Sequence, residues 1–330
     1  MELGKEVLYL SQADVKKTDV SMAMTVDLVE EVFREKGLGN VEMPAKIGLY
    51  PNATSYLHAM PCWIKSHNIM GIKWVTGYNN NRRDYGLPLI NGLFVYNDPN
   101  TGVPLAIMDS AWITAQRTGA SAGMAIRVLG NDDDKVAMLI GCGVQGKTSL
   151  EAVMVARPNL EKFYLNDIYP EAAQKLIDEF QPIYPNCEFI NTTEPLKVIP
   201  EVDDFVTCGP YDASVDFSFI PNELVKPSAT ICGIDFDIFF MADFMDKCVS
   251  KYYTDDIGQY NHFDSLGEIR PRKSFPVELG DAMVGKYPLR EKHDEICFAM
   301  NIGMAMDDLI LAEEIYKRAL ANNIGTILPL

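Results

Sequence analysis

The segment GCGVQG at residues 141–146 constrains the fold of this chain more than any other stretch. A short apolar run, KVAMLI, precedes it, and KTSLEAVMVA, which has the composition of a helix, follows it. The next apolar run, KFYLN, is followed by Asp167, which comes 21 positions after Gly146. This order is typical of the dinucleotide-binding βαβ unit, which has a strand, a glycine-rich turn, a helix, a second strand and an acidic residue about 20 positions after the turn. The alternative is a tight turn followed by a surface aspartate.

The glycine-rich turn predicts a seat for two phosphate groups. The helix that leaves the turn points its unpaired backbone N–H groups, and the positive end of its dipole, at whatever occupies the turn. At the end of the second strand, the Asp167 carboxylate can accept both hydroxyls of the adenosine ribose and repel a 2′-phosphate. We therefore expect NAD rather than NADP. The residues expected to bind its pyrophosphate are Gly141, Gly143, Val144, Gln145 and Gly146.

The wider pattern predicts an α/β fold with a Rossmann-type parallel sheet. From about Lys135 onward, strand-like runs alternate with amphipathic helical segments, which is typical of a parallel sheet covered on both faces. The strand-like runs are KVAMLI, FYLN, CEFI, DDFVTC, ATICGI and CVSKYYT, and the clearest helices are GKTSLEAVMVA and PEAAQKLIDEF. Residues 1–110 differ, because strand-like GIKWVTGY and GLFVYND are separated there by turn-forming sequence, which indicates a separate α+β domain. The amphipathic helix GMAMDDLILAEEIYKRALAN is expected to pack on that domain.

Charge and composition exclude several classes of function. With a formal net charge of −17, the chain would repel a phosphate backbone, so we expect no nucleic-acid partner. Its seven cysteines form no C-x-x-C pair, which favours a reducing compartment. The N-terminus lacks a signal-peptide pattern and no stretch approaches the roughly 20 apolar residues of a membrane span, so we expect a cytoplasmic protein without a membrane partner. The four histidines lack ligand-like spacing, and no metal site is expected.

Three cationic residues in the N-terminal part are candidates for binding an anionic group: Lys46, Lys73 and Arg117. Lys73 lies in the middle of an apolar strand, where an ammonium is costly to desolvate unless a carboxylate meets it. Arg117 is expected to begin a helix of small residues, TGASAGMA, which permits close approach of a ligand or of another element. Each could be a structural cation in an ion pair. Together they predict a pocket for one anionic group.

The chain resembles the ornithine cyclodeaminase/mu-crystallin family over nearly its whole length. The resemblance is carried by HAMP (58–61), GIKWV (71–75), GLP (86–88), DPNTGVPLAIMD (98–109), ITAQRTGASA (113–122), GCGVQG, NDIYPEAA (166–173), GID (233–235), GE (267–268) and the C-terminal helix. It implies a Rossmann domain, expected at residues 116–305, and an α+β domain that binds substrate and forms a homodimer, expected at 1–115 together with 306–330. It also implies tight binding of NAD or NADP and hydride transfer at the α-carbon of an amino acid, or the reverse reduction of an imine.

The resemblance also assigns roles to particular residues. Lys73 and Arg117 match the residues that clamp the substrate carboxylate, and Lys46 occupies a position where many members have arginine. A lysine there keeps the charge without the bidentate fork. Asp235 matches an aspartate near the nicotinamide that acts on the substrate amine, although a simple turn residue is an alternative. Because the continuation FDIFF departs from the family pattern, Asp237 is a competing candidate.

His58 is the clearest departure from the family. The ornithine-cyclising members have a glutamate at this place, where it assists proton transfer at the substrate. Histidine also exchanges protons near neutral pH, but when charged it would repel the second ammonium of ornithine. The alternative is a core histidine satisfied by a backbone carbonyl. The expected catalytic residues are therefore Asp235, His58 and Lys73.

These features predict an NAD(H)-dependent oxidoreductase that acts on a small amino or imino acid, either as an amino-acid dehydrogenase or as an imine or ketimine reductase. One alternative is an ornithine cyclodeaminase, which forms L-proline and ammonia with recycled NAD. A second is a non-catalytic NAD(H)-binding protein of the crystallin type. The presence of Lys73, Arg117 and Asp235 argues against the second alternative, because cofactor storage needs none of them.

Overall fold

The chain divides into two compact units in the computed structural model, which describes residues 2–52, 54–209 and 215–330. Unit 1 comprises Met1–Arg117 together with Met304–Leu330, and unit 2 comprises Thr118–Gly303. Within the described ranges, no helix is both long enough and apolar enough to cross a membrane.

Unit 1 is built on a mixed sheet of eight strands. The strands are β1 (Glu6–Leu10), β2 (Val41–Glu42), β3 (Ile47–Asn52), β4 (Ser55–Ile64), β5 (Ile69–Tyr78), β6 (Ile90–Asn97), β7 (Pro104–Asp109) and β16 (Thr326–Pro329). They follow the order β16-β1-β7-β6-β5-β4-β2, and β3 pairs with β4. The helices of this unit are α1 (Gln12–Lys17), α2 (Met22–Gly37), α3 (Asn81–Tyr85) and α11 (Ala305–Ala321).

One face of this sheet is covered by helix α11, which packs on β4, β5 and β6 and also against α2. Burial alternates along β5 from buried Ile69 to exposed Trp74, since successive side chains of a strand point to opposite faces. Lys73 of β5 and His58 of β4 lie on the sheet face that packs against α11. The expectation that the C-terminal helix packs on the N-terminal strands is confirmed.

Unit 2 is a parallel sheet with helices. Its strands are β8 (Val136–Ile140), β9 (Lys162–Asn166), β10 (Glu188–Asn191), β11 (Asp204–Thr207), β12 (Thr230–Gly233), β13 (Lys251–Thr254), β14 (Val277–Glu278) and β15 (Cys297–Met300). Its helices are α4 (Ala111–Leu129, which contains the unit boundary), α5 (Val144–Ala156), α6 (Pro170–Phe180), α7 (Pro195–Val198), α8 (Phe244–Lys247), α9 (Ile257–Ser265), α10 (Leu279–Met283) and the 3₁₀ turns Ile199–Glu201 and Asn222–Leu224.

The strand order of unit 2 is β10-β9-β8-β11-β12-β15-β13-β14. All pairs are parallel. Strands β9 and β10 extend the sheet on one side of β8, whereas β11 and the strands after it extend the sheet on the other side, so the strand order reverses between β8 and β11. Ligands of open α/β sheets bind at such a reversal, outside the carboxyl ends of the strands. The predicted α/β fold class is therefore confirmed, and all six strand-like runs form strands.

Two local expectations need correction. Arg117 does not begin its helix, because α4 starts at Ala111, where the backbone N–H of Trp112 donates to Asp109 Oδ1 at 3.0 Å. Strand β15 was not anticipated from sequence, although it lies between β12 and β13 in the sheet. Its sequence, CFAM, is too short and too uniform to distinguish a buried strand from a buried helical turn.

Candidate active site

Glycine occurs for different physical reasons at the three positions of the glycine-rich motif, which runs from the end of β8 into the first turn of α5. Gly141 has φ +95, and a Cβ there would lie 2.6 Å from the carbonyl oxygen of Cys208. A Cβ on Gly146 would lie 2.0 Å from the Gly141 carbonyl oxygen. At Gly143, the N-cap of α5, nothing lies within 4 Å of an added Cβ. The chain itself therefore requires glycine at the first and third positions, whereas the open space at Gly143 fits a ligand that approaches the backbone closely.

The rest of the loop also fits a phosphate-bearing ligand. Val144 and Gln145 form the first turn of α5, where helix N–H groups have no partner within the helix. Among the described residues, the buried Oε1 atom of Gln145 has no hydrogen-bond partner, so it can accept one from a ligand. These features fit the dinucleotide predicted from the sequence.

Asp167 lies directly after β9, next to the glycine-rich loop. Its Oδ2 accepts a hydrogen bond from the backbone N–H of Cys142 at 2.7 Å, and its Oδ1 accepts one from the backbone N–H of Tyr169 at 2.9 Å. Because each carboxylate oxygen can accept more than one hydrogen bond, these contacts orient the group without exhausting it. The carboxylate is thus held where the second strand of the βαβ unit ends.

Asp235 lies in the turn after β12, at the same edge of the sheet as the glycine-rich loop. The last residues of β8, β11 and β12, namely Ile140, Thr207 and Gly233, lie side by side in register. Thr207 Oγ1 donates to Asp235 Oδ1 at 2.5 Å, and the backbone N–H of Gly209 donates to Oδ2. Burial raises the pKa of Asp235 to about 7, although the two hydrogen bonds oppose this shift. A carboxyl group with this pKa can give or take a proton near neutral pH.

Asp237, the competing candidate, has a different environment. Its Oδ1 lies 3.0 Å from Nη2 of Arg272, and both side chains are buried. Phe236, between the two aspartates, has φ 67, a left-handed conformation that is rare for a bulky residue. The geometry therefore gives Asp237 an ion-pair partner and gives Asp235 neutral donors, which favours Asp235 as the group that exchanges protons.

A cluster of charged side chains lies in unit 1, between the sheet and its helices. Lys73 on β5 is fully buried, and its Nζ lies 2.6 Å from Oδ2 of Asp308 on α11 and 3.4 Å from the hydroxyl of Thr114 on α4. Arg117 Nε lies 3.1 Å from the other oxygen of Asp308. Lys46 is buried just before β3. The three predicted cations thus belong to one unit, and two of them share a carboxylate.

The cluster strongly perturbs Lys73. Burial, together with the positive charges of Arg117 and Lys46, lowers the pKa of its ammonium to about 7, and Asp308 opposes this shift. The sequence indicated that a carboxylate must meet Lys73, but it did not identify Asp308. The available signal was an acidic pair within the apolar helical run MAMDDLILA, since acidic side chains on a buried helix face need partners.

His58 lies on β4 and faces the same side of the sheet as Lys73. It is opposite Val75, and Met60 is opposite Lys73, so His58 and Met60 are two positions apart on one strand. The imidazole stacks on Tyr56 with ring centroids 4.3 Å apart and meets Tyr50 edge-on at 5.8 Å. The sequence did not predict these two tyrosines as neighbours, because β3 and β4 had not been located. His58 is therefore part of an aromatic stack in the same unit as the cations.

The predicted site residues fall into two groups. Unit 2 holds the glycine-rich loop, Asp167 and Asp235, and unit 1 holds Lys46, Lys73, Arg117 and His58. Over residues 2–52, 54–209 and 215–330, no group of three or more His, Cys, Asp or Glu side chains could hold a metal ion.

Comparison with known proteins assigns the chain to a protein family. The pattern of the ornithine cyclodeaminase/mu-crystallin family matches residues 5–323. The chain belongs to that family. Alanine dehydrogenase of Archaeoglobus fulgidus is 29% identical to this family member, over 97% of this chain and 98% of the relative.

Two solved structures are also similar to this ornithine cyclodeaminase/mu-crystallin family member. Delta(1)-pyrroline-2-carboxylate reductase of Thermococcus litoralis, in complex with NADH and L-proline, is 26% identical with a TM-score of 0.81, covering 97% of this chain and 99% of that one. An archaeal alanine dehydrogenase dimer with bound NAD is 28% identical with a TM-score of 0.82, covering 98% of this chain and 99% of that one.

Proposed function

We propose that this family member is an NAD(H)-dependent oxidoreductase that acts at the α-carbon of a small amino or imino acid. It works either as an amino-acid dehydrogenase or as an imine or ketimine reductase. The observation that carries the proposal is the buried carboxyl of Asp235, whose pKa is about 7 and which lies at the same sheet edge as the dinucleotide loop. Oxidation of an amine needs a proton acceptor beside the hydride acceptor, and reduction of an imine needs a proton donor there.

The cofactor is NAD, held in unit 2. The backbone of Gly141, Gly143 and Gly146 and the first turn of α5, with Val144 and Gln145, would hold its pyrophosphate, and Asp167 would accept the ribose hydroxyls. A cofactor held there would supply hydride transfer, from the α-carbon of an amino acid in the oxidised form or to an imine in the reduced form. The domain roles follow: residues 116–305 bind the cofactor, and 1–115 with 306–330 bind the substrate.

The cations of unit 1 bind the substrate carboxylate. Lys73 and Arg117 are buried and fixed by Asp308, and Lys46 adds a third positive charge. Fixed charges at a buried site bind an anion with little reorganisation. Asp235 takes the amine proton during oxidation and returns it during reduction. His58 is a second proton-exchanging group on the substrate side.

We further propose that the protein is a cytoplasmic homodimer. The face of the unit 1 sheet that is turned away from α11 carries Trp63, Trp74 and Leu93, which are 37%, 49% and 45% exposed. Trp74 and Leu93 lie opposite each other on β5 and β6, so the apolar surface is continuous there. A similar archaeal structure is a dimer. All seven cysteines are free, as expected in a reducing compartment.

Turnover assays test the function directly. Purified protein should reduce NAD with one or more L-amino acids, or oxidise NADH with an imine or with a keto acid and an amine, and mass spectrometry should identify the matching product. Conversion of ornithine to proline without net change in NADH would instead indicate a cyclodeaminase. Tight NADH binding without turnover of any amino or imino acid would indicate a non-catalytic binding protein.

A further inference from the structure

Asp308 connects two cations that come from distant parts of unit 1. The residue lies in the first turn of α11, and its side chain is fully buried. Lys73 of β5 contacts Oδ2 at 2.6 Å, and Arg117 of α4 contacts Oδ1 at 3.1 Å. One carboxylate therefore fixes the distance between two cations that lie on different elements.

The contact with Asp308 affects the charge of Lys73, because the other surroundings of this lysine disfavour an ammonium. The groups that face Lys73 are Arg117 and Thr114 from α4, Lys46 from the chain before β3, Asp308 from α11, and the cross-strand residues Met60 of β4 and Phe94 of β6. Burial and both neighbouring cations favour the neutral amine, and Asp308 is the group that favours the ammonium. An ammonium binds a carboxylate as a point charge, whereas a neutral amine binds it only weakly.

We infer that Asp308 is a positioning residue of the substrate site: it aligns Lys73 with Arg117 and favours the ammonium form of Lys73, so that both cations can receive a substrate carboxylate. This inference rests on the proposed function for the identity of that carboxylate. Asp308 itself does not need to touch the substrate, because it acts through the two cations.

The test compares Asp308→Asn with the wild-type protein. NMR of isotope-labelled lysine, with the Lys73 signal assigned by Lys73→Arg, should show Lys73 titrating near neutrality in the wild type. In Asp308→Asn its proton affinity should fall at least tenfold. With the substrate found in the turnover assays, KM should rise at least tenfold, and the loss of substrate affinity should begin at lower pH. The dissociation constant of NADH should remain within about twofold, a difference of about 0.4 kcal/mol.

Two further variants separate positioning from simple support of the fold. Glu313→Gln removes another buried acid of α11, one that lies 2.7 Å from Lys317 of the same helix, and should leave the Lys73 titration unchanged. Asp308→Glu retains the negative charge but displaces it, so it should preserve the titration while raising KM. This variant also provides the test if Asp308→Asn does not fold.

The outcomes distinguish this inference from the proposed function. If Asp308→Asn lowers the melting temperature while the Lys73 titration and KM stay as in the wild type, Asp308 is a structural ion-pair partner only and the inference is wrong. If the wild type turns over no amino or imino acid but Asp308→Asn still shifts the Lys73 titration, the proposed function fails and the control of Lys73 by Asp308 stands.

Discussion

Among the described residues, burial brings the pKa values of two side chains to about 7, the ammonium of Lys73 and the carboxyl of Asp235. Burial disfavours the charged form of each, so it lowers the pKa of the base and raises the pKa of the acid. At the scale of single residues, the two candidate functional groups therefore change charge in the same narrow pH range. As pH rises, ionisation of Asp235 favours the proposed oxidation of an amino acid, whereas loss of the proton from Lys73 weakens binding of the substrate carboxylate.

The first prediction concerns pH. Oxidation of an amino acid needs ionised Asp235, so kcat/KM should rise as pH increases through about 7. Binding of the carboxylate needs protonated Lys73, so kcat/KM should fall above about 7, which leaves a narrow bell-shaped profile. Asp235→Asn should lower kcat by roughly 100-fold or more and remove the rising limb. A flat profile across about one pH unit on either side of neutrality would exclude both groups from the rate-determining chemistry.

A second residue-scale prediction concerns cofactor choice. The Asp167 carboxylate should repel a 2′-phosphate, so NADH should bind at least about tenfold more tightly than NADPH, a difference of about 1.4 kcal/mol. Fluorescence titration with both cofactors measures the ratio. Asp167→Ala should narrow it, whereas Asp178→Ala, which removes an exposed aspartate of α6 that accepts from Gln174, should not. Equal affinities in the wild type would contradict this account of Asp167.

At the scale of an element, the glycine-rich segment that leads from β8 into α5 contains two kinds of glycine. Gly146 packs against the Gly141 carbonyl, so any side chain there collides with the backbone of the same loop. Gly143 has an extended backbone and open space around it, so its lack of a side chain serves a ligand rather than the fold. The two positions can therefore be separated by experiment.

The third prediction uses that pair. Gly143→Ala should retain the stability of the wild type to within about 1 kcal/mol, the range of N-cap effects, while it weakens NADH binding at least about tenfold. Gly146→Ala should lower the free energy of unfolding by about 1–3 kcal/mol, because the added methyl group must displace backbone. Thermal unfolding and NADH titration of both variants provide the comparison. If Gly143→Ala binds NADH as the wild type does, the loop does not bring a phosphate close to that backbone position.

At the scale of the whole molecule, unit 1 exposes the apolar side chains Trp63, Trp74 and Leu93 on the face of its sheet that is turned away from α11. Monomeric proteins rarely expose continuous apolar surfaces as large as a sheet face. The fourth prediction is therefore that sedimentation equilibrium finds twice the mass of one chain. Trp74→Arg should shift the protein towards monomer, because it places a charge in the contact. Leu196→Arg, at a residue of α7 in unit 2 that is 43% exposed, should leave the mass unchanged, and a monomeric wild type would contradict the dimer.

The α/β fold class, the strands from β8 to β13 and the geometry of the glycine-rich loop were predictable from sequence, because they depend on local periodicity and on the fixed spacing of neighbouring residues. The cation set was also predictable, since a lysine within an apolar strand needs a partner wherever it folds. The partner of Lys73 was not predictable. Asp308 contacts both Lys73 and Arg117, and it lies 191 positions after Arg117 in the chain, so no local pattern specifies these contacts. Local patterns also do not specify the position of β15 between β12 and β13 or the packing of the Tyr50 and Tyr56 rings around His58. Nor do they specify that Asp237, and not Asp235, forms an ion pair. Burial and charge depend on which distant segments pack together, so the two near-neutral pKa values were decided by the tertiary structure.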